Sequence, residues 1–497
     1  MDEMEGKMAK EKKKRRIIKQ IFKWIWLGLL TSLILAALIY DAPWKVLVFL
    51  LIILAACTIL PKPANKWFGL SVAGVVVVLI IWVFLPDEDG DWWPYTFDEE
   101  LATIKARYAV PDSENAAIAY NKLFESLDID SNQPEFFDRS SLPSELWLSK
   151  DHPETTEWLK GHQKTIDTLM EISRIEKCRF PMMATRISYE KEFDHVFKIR
   201  QCTFLLVSSA NNDIAEGRTD AACQKYLCTI QMAKHLYQQS ALVDFLVGGA
   251  IEALALKHLK RFIMEGEPTE QQLELIANLL PDMKNNWSSD FSRRLEYENF
   301  FEKNSLCSLF YEANPQSKVR LRRDPAAMMR FQYPDKPVPQ LSYRQRKLGK
   351  AGTILGWFFF PSTPQKFAKV VDATYGKYYA MADPNFEWGK KPAEVQPQFK
   401  LNYLSIVNHL TDISGEAYSR IHEIYLRNLT YRRGSRLLVA IRQYKNETGN
   451  WPANLDTIKS LVPAEALIDP VNGKQLEYEN HGKHFSLYGE TANIWPK

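Results

Sequence analysis

Three apolar runs near the N-terminus constrain the fold more than any other feature of this sequence. They extend over Trp24–Tyr40, Val46–Leu60 and Trp67–Leu85, and short polar links separate them. A helix needs about 20 apolar residues, and at least about 17, to cross a bilayer. Because backbone polar groups in lipid must be satisfied internally, such runs form helices there. The first and third runs meet this length, whereas the second is short and depends on Pro43 and Trp44 for extra reach. The sequence therefore predicts three transmembrane helices over residues 24–85, after a basic cytoplasmic tail over residues 1–23.

The charges around these runs predict the orientation. Nine basic residues precede the first run, few occur in the links, and the acidic stretch DEDGD follows the third run. The positive-inside rule then predicts a multi-pass protein of the cytoplasmic (inner) membrane, with a cytoplasmic N-terminus and a large extracytoplasmic C-terminal domain. If the second run is only a re-entrant segment, the large domain is cytoplasmic instead. A cleaved signal peptide does not fit, because the first run is too long and lacks a small-residue cleavage site.

The charge balance of the remaining chain argues against nucleic-acid binding. Residues 87–497 carry 51 basic and 55 acidic residues, so the large domain has no basic field. No Walker A loop, dinucleotide fingerprint, H-E-x-x-H or G-x-S-x-G motif occurs, and His481 and His484 form a close pair without a third ligand. We therefore expect no cofactor and no metal. The expected partners are the lipid bilayer and other envelope proteins.

Residues 98–316 have the pattern of packed amphipathic helices. The stretches FDHVFKIRQCTFLLVSSANNDIAEGR, TDAACQKYLCTIQMAKHLYQQ and ALVDFLVGGAIEALALKHLKRFIMEG follow one another with short turns at Gly, Thr and Asp. The first turn resembles the helix-turn-helix of a tetratricopeptide unit, although no period of about 34 residues is present. The pattern predicts a mainly α, solenoid-like (TPR-like) helical domain.

Residues 317–425 read as a basic, proline-containing loop followed by further helices. Basic side chains precede an aromatic cluster there, which is typical of a membrane-surface contact. The residues concerned are Arg344, Arg346, Lys347, Lys350, Trp357 and Phe358. The alternative is a core segment beneath a long loop, with its basic side chains in solvent.

Two acidic residues interrupt the apolar stripe of the helix predicted near residues 241–265. Asp244 and Glu252 lie eight residues apart, on one face, and about 12 Å apart along the axis. Together with Arg294 and Glu298 of the following helix they are candidates for a buried polar network that fixes helix register, with Arg294 or Arg261 as partners. The alternative is the acid–base site of a hydrolase, although 12 Å exceeds the roughly 5–9.5 Å between paired glycosidase carboxylates.

Residues 426–497 predict a small α+β module. A helix ends at Gly449, Asn454 or Asp456 caps a short helix, and QLEYE and HFSLYG form a hairpin. This arrangement is similar to the C-terminal part of the major pseudopilins of type II secretion, over about 70 residues. The matching residues include Tyr444, Gly449, Trp451, Pro452, Leu455, Leu461, Asp469, Pro470, Gly473 and Tyr478. The chain lacks the prepilin cleavage signature of that family.

Residues 98–497 as a whole resemble bacterial membrane-anchored proteins that join a helical domain, with a helix like ALVDFLVGGAIEALA, to a pseudopilin-like C-terminal module. The resemblance implies no particular activity, and whether the chain is an enzyme stays open. The expected function is that of an interaction or scaffolding protein of the envelope. The alternatives are an envelope hydrolase that uses the buried carboxylates, and an accessory protein of a secretion system.

Overall fold

The computed structural model describes only part of the chain. The described residues are 97–129, 133–134, 146–182, 193–280, 284–307, 310–311, 320–321, 364–383, 386, 388 and 415–495. The chain divides into two compact units, and the second consists of Phe97–Phe301, Tyr375–Lys390 and Ser414–Lys497. In the first unit, β1 (Phe310–Tyr311) pairs antiparallel with β2 (Arg320–Leu321).

The prediction of transmembrane helices finds no support in the described part of the chain. No helix in the described part is both long enough and apolar enough to cross a bilayer. The helix Leu242–Glu265, for example, includes Asp244, Glu252 and Lys260 among its apolar residues. The runs predicted to span within residues 24–85 lie outside the described residues, as do the basic and aromatic residues between Arg344 and Phe358.

The prediction of a mainly α protein is confirmed. The α-helices that the structure describes up to residue 307 are α1 (Asp98–Arg107), α2 (Ala116–Glu125), α3 (Pro153–Gly161), α4 (Gln163–Ile172), α5 (Asp194–Ala215), α6 (Thr219–Tyr237), α7 (Leu242–Glu265), α8 (Glu270–Leu279) and α9 (Trp287–Cys307). Helices α5, α6 and α7 pack against one another in sequence. Gly217, with φ of +78°, makes the turn between α5 and α6, and Thr269 caps α8 in a reciprocal pair with Gln272.

The C-terminal part follows the predicted order of elements. After α10 (Pro364–Tyr378) and a 3-10 turn (Tyr379–Ala382), α11 (Gly415–Thr448) ends at Gly449, whose φ is +75°. Asn454 accepts a hydrogen bond from the backbone of Thr457 and caps the 3-10 helix Leu455–Leu461, and a second short one covers Ala464–Leu467. The hairpin of β3 (Glu477–Asn480) and β4 (Phe485–Tyr488) is antiparallel, as predicted. A third strand, β5 (Asn493–Trp495), which we did not predict, places β4 at the centre of the sheet.

One hydrophobic core joins the helices to this small sheet. Leu256 and Leu259 of α7 belong to the same buried cluster as Leu438 of α11 and Phe485 and Leu487 of β4. A second cluster surrounds α2, α4 and α5. The helical region and the C-terminal module are therefore stabilised by shared burial of apolar surface.

Candidate functional site

A cleft opens where several segments of the second unit meet. Its walls are residues 179–182, the start of α5, the linker before α7, the first turn of α7 and one residue of α9. Its open space, mouth included, is about 270 Å³. The polar side chains that line it include Arg179, His195, Ser240 and Asp244. A concave site with converging polar groups is the usual location of a ligand site.

Side-chain amides fix the segment that carries Arg179. The backbone N–H of Cys178 donates to Gln238 (2.7 Å), that of Arg179 to Asn115 (2.8 Å), and that of Phe180 to Gln239 (3.1 Å). Amide side chains thus provide acceptors for successive N–H groups outside any sheet. This network positions one wall of the cleft against α2 and the end of α6.

His195 and Asp244 form a hydrogen-bonded pair in the lining of the cleft. His195 Nε2 lies 2.6 Å from Asp244 Oδ1, and the carboxylate side chain is only 3% exposed. The imidazole ring stacks on Phe180, with centroids 4.2 Å apart. Among the described residues Nδ1 has no hydrogen-bond partner, and the side chain is 13% exposed. With Nε2 donating to the carboxylate, Nδ1 is left as a proton acceptor on a side chain that lines the cleft.

Arg179 contributes a cation whose hydrogen-bond acceptors are neutral. Its Nε donates to the carbonyl of Tyr108 (3.2 Å) and its Nη1 to Ser240 Oγ (3.1 Å). The guanidinium lies 5.1 Å from the centroid of the Tyr108 ring. Burial, and then the charge of Arg293, lower the pKa of Arg179 to about 10. An anion near this group would be stabilised by it.

Glu298 lies at the N-terminus of α7 but does not line the cleft. Its Oε1 accepts a hydrogen bond of 2.8 Å from the backbone N–H of Leu242. Burial raises the pKa of Glu298 to about 7, and the charge of Asp244 acts in the same direction. Glu298 therefore changes its protonation close to neutral pH.

Glu252 and Arg294, which the sequence analysis grouped with Asp244, have other partners. Glu252 is completely buried and accepts hydrogen bonds from Arg432 Nη2 (2.9 Å) and Tyr237 Oη (2.6 Å). The expected partner Arg261 instead pairs with Glu265 (2.8 Å). These contacts connect α6, α7 and α11, so Glu252 fixes packing at a distance from the cleft.

Arg294 is buried and satisfies backbone carbonyls rather than a predicted acid. It donates to the carbonyls of Tyr237 (3.0 Å) and Asp290, and lies 4.3 Å from the centroid of the Phe245 ring. Of the four residues predicted to form one network, only Asp244 lines the cleft. The prediction missed His195, since its partner lies 49 positions away and no local pattern marks it.

The described residues contain no group of three or more His, Cys, Asp or Glu that could hold a metal ion. In the hairpin, His481 Nε2 lies 3.2 Å from Ser486 Oγ and 3.5 Å from Glu479, and its ring centroid is 5.0 Å from that of His484. Cys178, Cys202, Cys223 and Cys228 are buried free thiols. Burial raises the pKa of each of them, so these thiols are neutral and unreactive.

Comparison with known proteins gives no assignment for this site. No protein-family model, curated protein or solved structure matches the chain. The function is therefore argued from the cleft and its side chains.

Proposed function

We propose that the chain binds a small molecule in the cleft and that His195, oriented by Asp244, acts on it as a general base. The reaction class that suits this pair is hydrolysis. The observation that carries the proposal is the 2.6 Å contact between His195 Nε2 and Asp244, with Nδ1 left without a described partner. This retains the hydrolase alternative of the sequence analysis, but its base is a histidine rather than a carboxylate.

The pair suits proton transfer for a physical reason. A buried carboxylate that accepts from one imidazole nitrogen fixes the tautomer and stabilises the imidazolium that forms when the other nitrogen takes a proton. A water molecule would give its proton to Nδ1 while its oxygen attacks an electrophilic carbon or phosphorus atom. The imidazolium would then return that proton to the leaving group.

The test is a panel of chromogenic carboxylic esters, amides and phosphate esters assayed with the full chain. We expect H195Q to lower turnover at least about 100-fold, since general base catalysis contributes about 10²–10⁴-fold. D244N should lower it by a similar order, because it removes the group that orients the base. The control is H162Q, because His162 lies outside the cleft, where its ring nitrogens can only donate to the carbonyls of Trp158 (2.8 Å) and Asp128 (3.1 Å). Turnover that survives in H195Q contradicts the proposal.

An interaction or scaffolding role is the second candidate function. Leu275 and Leu279 are 40% and 41% exposed and lie one helical turn apart on α8, so they form a small apolar surface. Crosslinking in cells followed by affinity purification should recover a stoichiometric partner that the L275S/L279S variant loses. The secretion accessory role, implied by the resemblance of residues 426–497 to pseudopilins, further predicts that this partner belongs to a secretion machine. An unchanged set of partners in the variant contradicts this candidate.

A further inference from the structure

We infer that the ligand of this cleft carries a carboxylate group, which Arg179 binds. The inference rests on the proposed function of the cleft and names the class of molecule that it accepts. It depends on the environment of Arg179 and on the neighbouring charges.

Arg179 lines the cleft without a carboxylate partner. Among the described residues its hydrogen bonds go to a backbone carbonyl of Tyr108 and a hydroxyl of Ser240, both neutral. A partly buried cation is stabilised most by an ionised acceptor, and neutral acceptors compensate it only in part. Asp244 in the same cleft acts to raise the pKa of Arg179, but burial and the charge of Arg293 outweigh it, so the positive charge is only partly compensated.

The hydrogen bonds of Arg179 also leave donors for a ligand. A guanidinium has five N–H groups, of which the two contacts with Tyr108 and Ser240 use two. The remaining hydrogens on Nη1 and Nη2 match the fork geometry of a carboxylate. Because the Tyr108 ring and Ser240 Oγ hold the guanidinium in place, little side-chain entropy remains to be lost on binding.

A second cation adds to the positive potential beside the cleft. The guanidinium of Arg293 lies 5.8 Å from the centroid of the same Tyr108 ring, and its charge contributes to the lowered pKa of Arg179. Arg293 has a carboxylate of its own, that of Asp290 at 3.6 Å. An anionic ligand would thus relieve repulsion around Arg179. The cavity within the cleft has a volume of about 20 Å³, so only a group of a few atoms can enter it.

Calorimetry with acetate and its neutral isostere acetamide tests the inference on the full chain at constant ionic strength. We expect acetate to bind and acetamide not to bind. Because a hydrogen bond to a charged group contributes about 1.5–3 kcal/mol, R179Q should weaken acetate binding about tenfold or more. R179K, which keeps the charge without the fork, should bind with intermediate affinity. The matched control is R200Q, which alters an exposed arginine that lies over Phe204.

A measurement on the unaltered protein guards against a variant that does not fold. Acetate, but not acetamide, should slow hydrogen exchange in peptides covering residues 177–182 and 239–244. Equal effects of the two compounds, or none from either, overturn the inference. The two proposals fail separately. If acetate binds but no turnover depends on His195, the proposed function alone is contradicted. If turnover depends on His195 but the substrates lack a carboxylate and acetate does not inhibit, only the carboxylate inference is contradicted.

Discussion

At the scale of single residues, the contact between His195 and Asp244 predicts a fixed tautomer. Since Asp244 accepts from Nε2 at 2.6 Å, we expect neutral His195 to carry its proton on Nε2, with Nδ1 unprotonated. Nitrogen NMR of histidine-labelled protein distinguishes the two ring nitrogens. In D244N the preference should weaken, whereas D167N, which alters an exposed aspartate bonded to Gln163, should leave it unchanged. A proton found on Nδ1 of the wild-type residue would contradict the assignment of Nδ1 as the base.

The buried ion pair of Glu252 and Arg432 predicts a large loss of stability when one partner is removed. The variant E252Q leaves the Arg432 guanidinium buried without its carboxylate, which costs about 3–5 kcal/mol in the free energy of unfolding. The control E265Q breaks the exposed pair with Arg261, and there we expect a change of at most about 0.5 kcal/mol. Urea unfolding measures the free energy of unfolding of both variants. If E252Q lost no more stability than E265Q, the buried pair would not be structurally important.

The residues also show how far the sequence predicts such contacts. The spacing of Asp244 and Glu252 correctly indicates two acids on a largely buried helix, because helical periodicity is a local property. Their partners lie 49 and 180 positions away along the chain. Which basic side chain reaches each acid is decided by tertiary packing, and no local pattern encodes it.

At the scale of elements, Glu298 makes the N-terminus of α7 sensitive to pH. Its pKa is raised to about 7 in the folded protein, above the ordinary value of 4.5, so the folded state holds this proton more tightly than the unfolded chain. The contribution of Glu298 to stability is therefore greatest below about pH 4.5 and falls as pH rises towards 7, by at most about 3 kcal/mol. E298Q should reduce this slope in thermal unfolding measured from pH 4.5 to 8. The control is E296Q, which alters a partly exposed glutamate that pairs with Arg107.

The contact between α11 and β5 predicts that Gly434 does not tolerate a side chain. A Cβ atom there would lie 2.5 Å from Ile494 Cγ2, so either the strand or the helix must move. Although alanine favours helices by about 1 kcal/mol over glycine, we expect G434A to destabilise the protein by about 1–3 kcal/mol. G161A is the control, because nothing lies within 4 Å of its added Cβ at the end of α3. If thermal unfolding showed G161A to be more destabilised than G434A, this close packing would be contradicted.

The C-terminal elements were predictable where their turns depend on local chemistry. Gly449 and Gly482 adopt positive φ angles of +75° and +82°, and Asn454 caps the helix that follows it. The strand β5 was missed because it has only three residues, too few for a pattern of alternation. It is positioned instead by contact with α11, through Ile494 and Gly434.

At the scale of the whole molecule, the continuous core changes how the parts of this chain are understood. The sequence suggests separate domains at residues 98–316 and 426–497, because the intervening segment is basic and rich in proline. In the structure Phe97–Phe301 and Ser414–Lys497 belong to one compact unit, and α7 and α11 bury apolar residues together. The sequence shows that the intervening segment differs in composition, but it does not show which helix and sheet faces pack against each other in the fold.

This shared core predicts that the helices and the C-terminal sheet unfold together. Leu487 of β4 is fully buried in the cluster that includes Leu256 and Leu259 of α7, so L487A should cost about 2–5 kcal/mol. Hydrogen exchange in increasing urea should show the same lowered midpoint in peptides from α7 and from β3–β4. The control K459A alters an exposed side chain of the same module and should change neither midpoint. If α7 kept its wild-type midpoint in L487A while the sheet unfolded, the module would be an independent domain. It could then be deleted to test its partners separately.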